Sequence, residues 1–257
     1  MDYSSLIKKV KDNIAVVVCI DAQNQISSKG SGFVFFQKGV LVTCNHVVAQ
    51  PDVTIKVKLK DDGEFINAKI AIRDEKHDIA ILEYDPALAP NSEPFKQCEV
   101  SKISEGMPVI FSGYPLDLFN LTTHQGILSA ILKDPTGVAV HMIDGTVNGG
   151  NSGCPLFNTE GELIGVVNAR RRENSTMLGG VESMMSGALS LHGVDVVGIY
   201  KAIISNLQLG MGYAIPCAYI PNYKIENNLI PTSSSNIENT GEIKVKQIRM
   251  KKNKRKK

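Results

Sequence analysis

The chain has 257 residues, 43% of them hydrophobic and 21% charged, with a formal net charge of +2. That is ample for a sizeable core in one large domain or two small ones, and no apolar run is long enough to cross a membrane as a helix. The small net charge hides an asymmetry, because residues 244–257 carry nine of the 28 basic residues and no acid, leaving 19 basic against 26 acidic residues elsewhere.

In chain order, residues 4–12 predict a short helix and residues 14–20 a first strand. Residues 33–36 lead through Lys38-Gly39 into a strand at 40–42. Residues 53–59 and 65–72 flank Asp61-Asp62-Gly63, a hairpin signal. Pro86, Pro90 and Pro94 mark a connector, beyond which strands are predicted near 109–112, 123–132, 138–142, 156–157 and 162–167. Val197, Tyr200, Ile204 and Leu207 recur at helical spacing before Gly210, so residues 194–208 predict a helix anchoring a flap at 171–193. The expected fold is all-β, two packed six-stranded antiparallel barrels with a helical insertion and a disordered basic tail. The expected division is 1–97, 98–230, and a flexible linker and tail at 231–257, Pro231-Thr232-Ser233-Ser234-Ser235-Asn236 being polar and poor in apolar residues.

Three stretches carry chemistry: Thr43-Cys44-Asn45-His46, His77-Asp78-Ile79-Ala80 and Gly149-Gly150-Asn151-Ser152-Gly153. They offer an imidazole, a carboxylate and a hydroxyl in that order, at intervals of 32 and 74 residues. A serine hydroxyl is a poor nucleophile until a positioned imidazole takes its proton, and the imidazole needs a carboxylate to fix its tautomer. The glycines around Ser152 let backbone N–H groups converge on one point, so those of Gly150 and Ser152 are candidates for an oxyanion hole.

Gly30-Ser31-Gly32-Phe33-Val34 followed by Leu41 through Val48 resembles the histidine segment of chymotrypsin-fold serine proteases of the HtrA/Deg branch. Asp78-Ile79-Ala80-Ile81-Leu82 resembles that family's aspartate strand. Ser112-Gly113-Tyr114-Pro115 and Gly126-Ile127-Leu128-Ser129-Ala130 resemble its next two landmarks. Gly150 to Leu156 and Gly161 to Asn168 resemble the serine segment and the strand after it, and Gly210 to Pro216 the closing strand. The resemblance implies an endopeptidase with His46 as general base, Asp78 as its orienter and Ser152 as nucleophile. It implies a site between the halves, with Val167-Asn168-Ala169 as the strand that an extended peptide would pair with. It places Thr146 where relatives that cut after Lys or Arg have an aspartate, so small or medium apolar side chains are expected in the pocket.

Two departures stand out. Cys154 replaces the family's usual second glycine, where its side chain is expected to crowd the wall behind the nucleophile, and too few residues follow Pro216 for the family's PDZ domain. Asn151 stands where zymogen-type relatives have an aspartate, so no N-terminal processing is expected. Five separated cysteines and a start without signal-peptide layout lead to the expectation of a cytoplasmic protein, with the nucleus as an alternative in a eukaryotic host. No cofactor or metal is expected, since Cys44 and His46 lack a second pair at zinc spacing. The expected partners are a protein or peptide substrate and, through residues 244–257, an acidic partner such as nucleic acid, an anionic membrane or an import receptor. Two other readings are a catalytically silent binding module with the protease fold and a polyanion-binding protein acting through its tail. His77 is expected to face away from Asp78 on a strand, at the surface. His124, His141 and His192 are expected to be structural or solvated, and Met184-Met185 to fill the core.

Overall fold

The computed structural model describes residues 2–134, 136–169, 184–199 and 210–225. The sequence-predicted linker, the basic tail, most of the flap and the helical positions Tyr200, Ile204 and Leu207 lie outside the described residues.

A helix α1 (Ser4–Val10) and a 3-10 turn lead into six strands: β1 (Ile14–Ile20), β2 (Ile26–Val34), β3 (Val40–Cys44), β4 (Thr54–Lys58), β5 (Ile66–Asp74) and β6 (Ile79–Tyr84). These close into an antiparallel barrel in the order β1-β2-β3-β6-β5-β4. The second set is β7 (Pro108–Gly113), β8 (Thr122–Lys133), β9 (Ala139–Asp144), β10 (Pro155–Phe157) and β11 (Leu163–Val167). A two-stranded ribbon follows, β12 (Ser190–Leu191) with β13 (Val194–Asp195), and β14 (Met211–Pro216) completes the second barrel in the order β10-β11-β14-β9-β8-β7. Closure leaves neither sheet with an open edge, and bulges at Cys19/Ile20, Ile70/Ile72 and Leu128/Ala130 supply the extra twist that closing needs.

Every residue of β1 is buried, which alternation alone would not give. One face of β1 fills the first barrel and the other meets the second, because the main core runs across both: Ile14, Phe33 and Leu41 belong to the same apolar cluster as Ile110, Tyr114, Phe157 and Val166. Phe95 bridges them, with ring centroids 5.7 Å from Phe33 on one side and 5.7 Å from Phe157 on the other. The seam between the barrels is therefore a packed apolar wall, and the polar residues at its rim are held in fixed positions.

Some local expectations fail. His77 is not on a strand: β6 starts at Ile79, and His77 lies in the preceding turn with its ring stacked on Tyr219 at 4.3 Å and Nδ1 2.6 Å from Asp74 Oδ2. Met184 and Met185 are exposed rather than core. Residues 194–195 are the strand β13, and helix begins only at 196.

Candidate active site

His46 sits in a 3-10 turn (Asn45–Val47) that follows β3 directly. Arg73 on β5 braces this turn, its guanidinium donating to Asn45 Oδ1 at 2.8 Å and to the Val48 carbonyl at 2.6 Å. Asp78 precedes β6 with φ of 55°, in the left-handed region that Asp tolerates better than most residues. Its carbonyl accepts from Asn45 N–H at 3.0 Å and its Oδ1 from His46 N–H at 2.9 Å, so turn and carboxylate hold one another.

The three side chains meet in a line. Asp78 Oδ2 lies 2.6 Å from His46 Nδ1, and His46 Nε2 lies 2.9 Å from Ser152 Oγ. An imidazole whose Nδ1–H is committed to a carboxylate presents its Nε2 lone pair to the hydroxyl, the tautomer that general-base chemistry requires. Burial alone would push the Asp78 carboxyl up. The hydrogen bond and charge of His46, its N–H and the Asn168 amide outweigh that and hold it below the usual carboxylate range.

Ser152 lies between two glycines the fold cannot replace. A Cβ on Gly150, at φ of 89°, would be 2.4 Å from the Tyr114 carbonyl, and one on Gly153, at φ of 88°, would be 2.1 Å from the Ser31 carbonyl. The preceding carbonyls fix the direction of the N–H groups at Gly150 and Ser152, since a trans peptide sets its N–H opposite its C=O. Gly149 O accepts from Leu116 N–H at 2.6 Å, and Asn151 O accepts from Cys154 N–H at 3.0 Å. Among the described residues, the Gly150 and Ser152 N–H groups donate no hydrogen bond. Two aimed and unspent donors beside a hydroxyl can stabilise a developing oxyanion.

The other sequence-predicted positions divide. Val167 is corrected: its N–H donates to Cys154 O at 2.9 Å and its carbonyl accepts from Gly153 N–H at 2.8 Å, so its backbone belongs to the barrel and is not an open edge. Asn168 was read for its backbone, but it is the Asn168 side chain that reaches the triad, Nδ2 donating to Asp78 Oδ2 at 2.8 Å. Ala169 N–H donates to Ser152 Oγ at 3.2 Å. Thr146 is exposed and lines an open groove of about 500 Å³ with His124, Gln125 and Asp144, which contains no triad residue. Its neighbour Val147 packs on Gly212, where an added Cβ would meet Val147 Cγ2 at 2.2 Å.

Cys154 is fully buried in the apolar cluster of the second barrel, against Gly113, so it is accommodated as a small hydrophobe. Asn151 is fully buried too, and among the described residues neither its Oδ1 nor its Nδ2 makes a hydrogen bond. Ligand atoms of Cys44, His46 and Asp78 all lie within 4.8 Å of one another. However, His46 and Asp78 are spent on each other, and burial pushes the Cys44 thiol up while it donates to Val167 O at 3.3 Å. That donor set suits a hydrogen-bond network better than a cation.

Residues 30–166 match the family profile described as a trypsin-like peptidase domain. The chain belongs to this family. Curated relatives of this chain include a probable periplasmic serine endoprotease DegP-like protein of Pseudomonas putida, 37% identical over 149 residues, covering 57% of this chain and 30% of that protein. Another is the serine protease Do-like HtrA of Lactobacillus helveticus, 32% identical over 217 residues, covering 79% of this chain and 51% of that protein. The chain thus spans between about a third and a half of the length of these relatives. Among solved structures, a serine endoprotease from Yersinia pestis matches with a TM-score of 0.59 at 25% identity, over 85% of this chain and 63% of that one. The HtrA-type protease AlgW with tripeptide matches with a TM-score of 0.61 at 23% identity, over 85% of this chain and 60% of that one, a likeness of fold.

These relatives overturn the expectation of a cytoplasmic or nuclear protein, since the DegP-like proteins matched here are named as periplasmic. The cysteine argument fails for a physical reason. All five thiols are buried and free, so they report on packing and not on the redox compartment.

Proposed function

We propose that this protein is a serine endopeptidase hydrolysing protein or peptide substrates through an acyl-enzyme. The observation that carries the reading is the Asp78–His46–Ser152 line at 2.6 and 2.9 Å, with two unspent N–H donors beside the hydroxyl. His46 takes the Ser152 proton as Oγ attacks the scissile carbonyl, and the N–H groups of Gly150 and Ser152 receive the oxyanion. His46 then gives its proton to the leaving amine, and a water molecule repeats the sequence to release the acid. Asp78 orients His46 and stabilises its imidazolium form, and Asn168 holds Asp78 in turn.

The substrate pairs at Ala169, beyond the point where the Val167 backbone and the Asn168 N–H, which donates to Tyr213 O at 2.8 Å, are used in the barrel. Val147 occupies space against Gly212, which favours small or medium apolar side chains at the cleavage position. A catalytically silent binding module is the weaker reading: the feature in its favour was Cys154, and that side chain is absorbed in the core. The test is covalent labelling by a fluorophosphonate probe. Wild type should be labelled at one site, Ser152→Ala not at all, and Asp78→Asn roughly 10⁴-fold more slowly. An unlabelled, folded wild type would favour the binding module.

A further inference from the structure

The Gly150 N–H is aimed through the carbonyls on either side of it, and two side chains of β2, outside the triad, hold those carbonyls in place. Ser31 is fully buried. Its hydroxyl donates to the Gly150 carbonyl at 2.7 Å and accepts from Tyr114 N–H at 2.9 Å. Its own N–H donates to Ser152 O at 2.8 Å, and its carbonyl accepts from Thr43 Oγ1 at 2.7 Å. Every polar group of Ser31 is therefore used, and three of its four bonds reach the nucleophile's segment or the loop behind it.

Lys29 lies two residues earlier, on the same face of the strand. Its Nζ donates to the carbonyls of Tyr114 at 3.1 Å, Leu116 at 2.6 Å and Leu118 at 2.5 Å, and sits 4.8 Å from the centre of the Phe119 ring. Three carbonyls converging on one ammonium wind residues 114–118 into a crown, with Leu116 at φ of 51°. The crown turns Leu116 N–H onto the Gly149 carbonyl at 2.6 Å. It also backs Gly150 closely, since a Cβ there would be 3.0 Å from Leu116 N as well as 2.4 Å from Tyr114 O. Desolvation brings the ammonium's pKa down to about 8, with Asp117 opposing, which fits a charge committed to carbonyls rather than to water.

We infer that Lys29 and Ser31 are positioning residues for the oxyanion hole, gripping the two carbonyls on either side of the Gly150 N–H. Lys29 acts on Gly149 O through the 114–118 crown, and Ser31 acts on Gly150 O directly. Without them the 149–150 peptide is free to turn over, carrying its N–H out of the hole while the triad stays assembled. The inference rests on the endopeptidase reading, and its effect falls on stabilisation of the oxyanion, not on substrate binding.

The experiment compares wild type, Lys29→Met, Ser31→Ala and the double variant in two assays. One is hydrolysis of a chromogenic peptide; the other is inhibition by a peptide boronic acid, whose tetrahedral adduct mimics the oxyanion. Each single variant should lose about 10- to 100-fold in kcat with KM within about threefold, a partial loss of what one missing oxyanion donor costs. The boronate should weaken by the same factor across the series, and the acid limb of the pH profile should not move. Ser31→Cys, which keeps a weak donor and acceptor, should fall between wild type and Ser31→Ala, and it serves if the alanine variant does not fold. Raised KM with unchanged kcat, or boronate affinity unchanged while kcat falls, would overturn the inference. An active wild type with fully active variants sinks this inference alone, whereas an unlabelled wild type sinks the endopeptidase reading itself.

Discussion

Asn168 and His46 share one oxygen: Oδ2 of Asp78 accepts from the Asn168 amide at 2.8 Å and lies 2.6 Å from His46 Nδ1. The second donor prevents the carboxylate from rotating away from the imidazole, and it is charge-assisted, the stronger class of hydrogen bond. Asn168→Ala should leave the fold intact and lower kcat/KM by about 10-fold, in line with loss of about 1.5 kcal/mol of orientation. Asn168→Ser, with a shorter donor, should recover part of the loss. Steady-state kinetics on a chromogenic peptide decides it, and full activity in the alanine variant would remove Asn168 from the machinery.

The depressed Asp78 and Asp74 carboxyls make a stability statement. In both, burial alone would raise the value, but hydrogen bonds and charge from His46 at Asp78 and from His77 at Asp74 bring it below the ordinary range. A group whose folded value is depressed contributes stability that is present above its unfolded value and is lost as pH falls through the folded one. Thermal midpoints should therefore fall as pH drops from about 5 toward 2. Asp78→Asn and Asp74→Asn should each flatten that dependence while lowering stability at neutral pH. Melting curves at a series of pH values measure this directly, and identical slopes in wild type and variants would contradict it.

The barrels and the triad segments were legible because their signals are local. Strand periodicity, the Asp61-Asp62-Gly63 hairpin and glycines beside Ser152 each act within a few residues. What the sequence hid are contacts made only when the barrels close: Asn168 with Asp78 across 90 residues, and Ser31 with Gly150 across 119. A polar Asn ending the apolar run Leu163-Ile164-Gly165-Val166-Val167 was the available signal, since an amide entering a core needs a partner. His77 was misread because alternation was extended one turn too far, into residues that precede the strand. Sequence also gives no view of which of Thr146 and Val147 packs on Gly212, where the structure places Val147.

The cysteines should be silent in the native state. Burial pushes Cys19 and Cys217 up to about 11, and raises Cys44, Cys98 and Cys154 as well. Thiolate is the reactive form, so a disulfide reagent such as DTNB at about pH 8 should find almost none of it. Native protein should react at less than one thiol per chain over minutes, and denatured protein at all five. Rapid modification of even one thiol in native protein would place that side chain at the surface.

The basic run at 244–257 repels itself and has no acid to neutralise it. Removing it should leave hydrolysis of a small peptide unchanged and abolish any salt-sensitive binding to polyanions, read as retention on heparin across a salt gradient. Loss of peptide hydrolysis in a folded truncation would assign these residues to the catalytic machinery.

Val147 offers the sharpest handle on specificity. Its Cγ2 stands 2.2 Å from where a Gly212 side chain would begin, and in the proposed specificity pocket the size of this side chain should set the volume. Val147→Ala removes two methyl groups from that wall. Each methylene-sized change in an apolar pocket shifts discrimination by about 1–3 kcal/mol, so preference should move from Val or Ala toward Leu or Met by about 10-fold or more in kcat/KM. Val147→Phe should fill the pocket and suppress cleavage after all but the smallest side chains. Profiling wild type and both variants on peptides differing only at the cleavage position tests this, and an unchanged order of preference in Val147→Ala would move the pocket elsewhere.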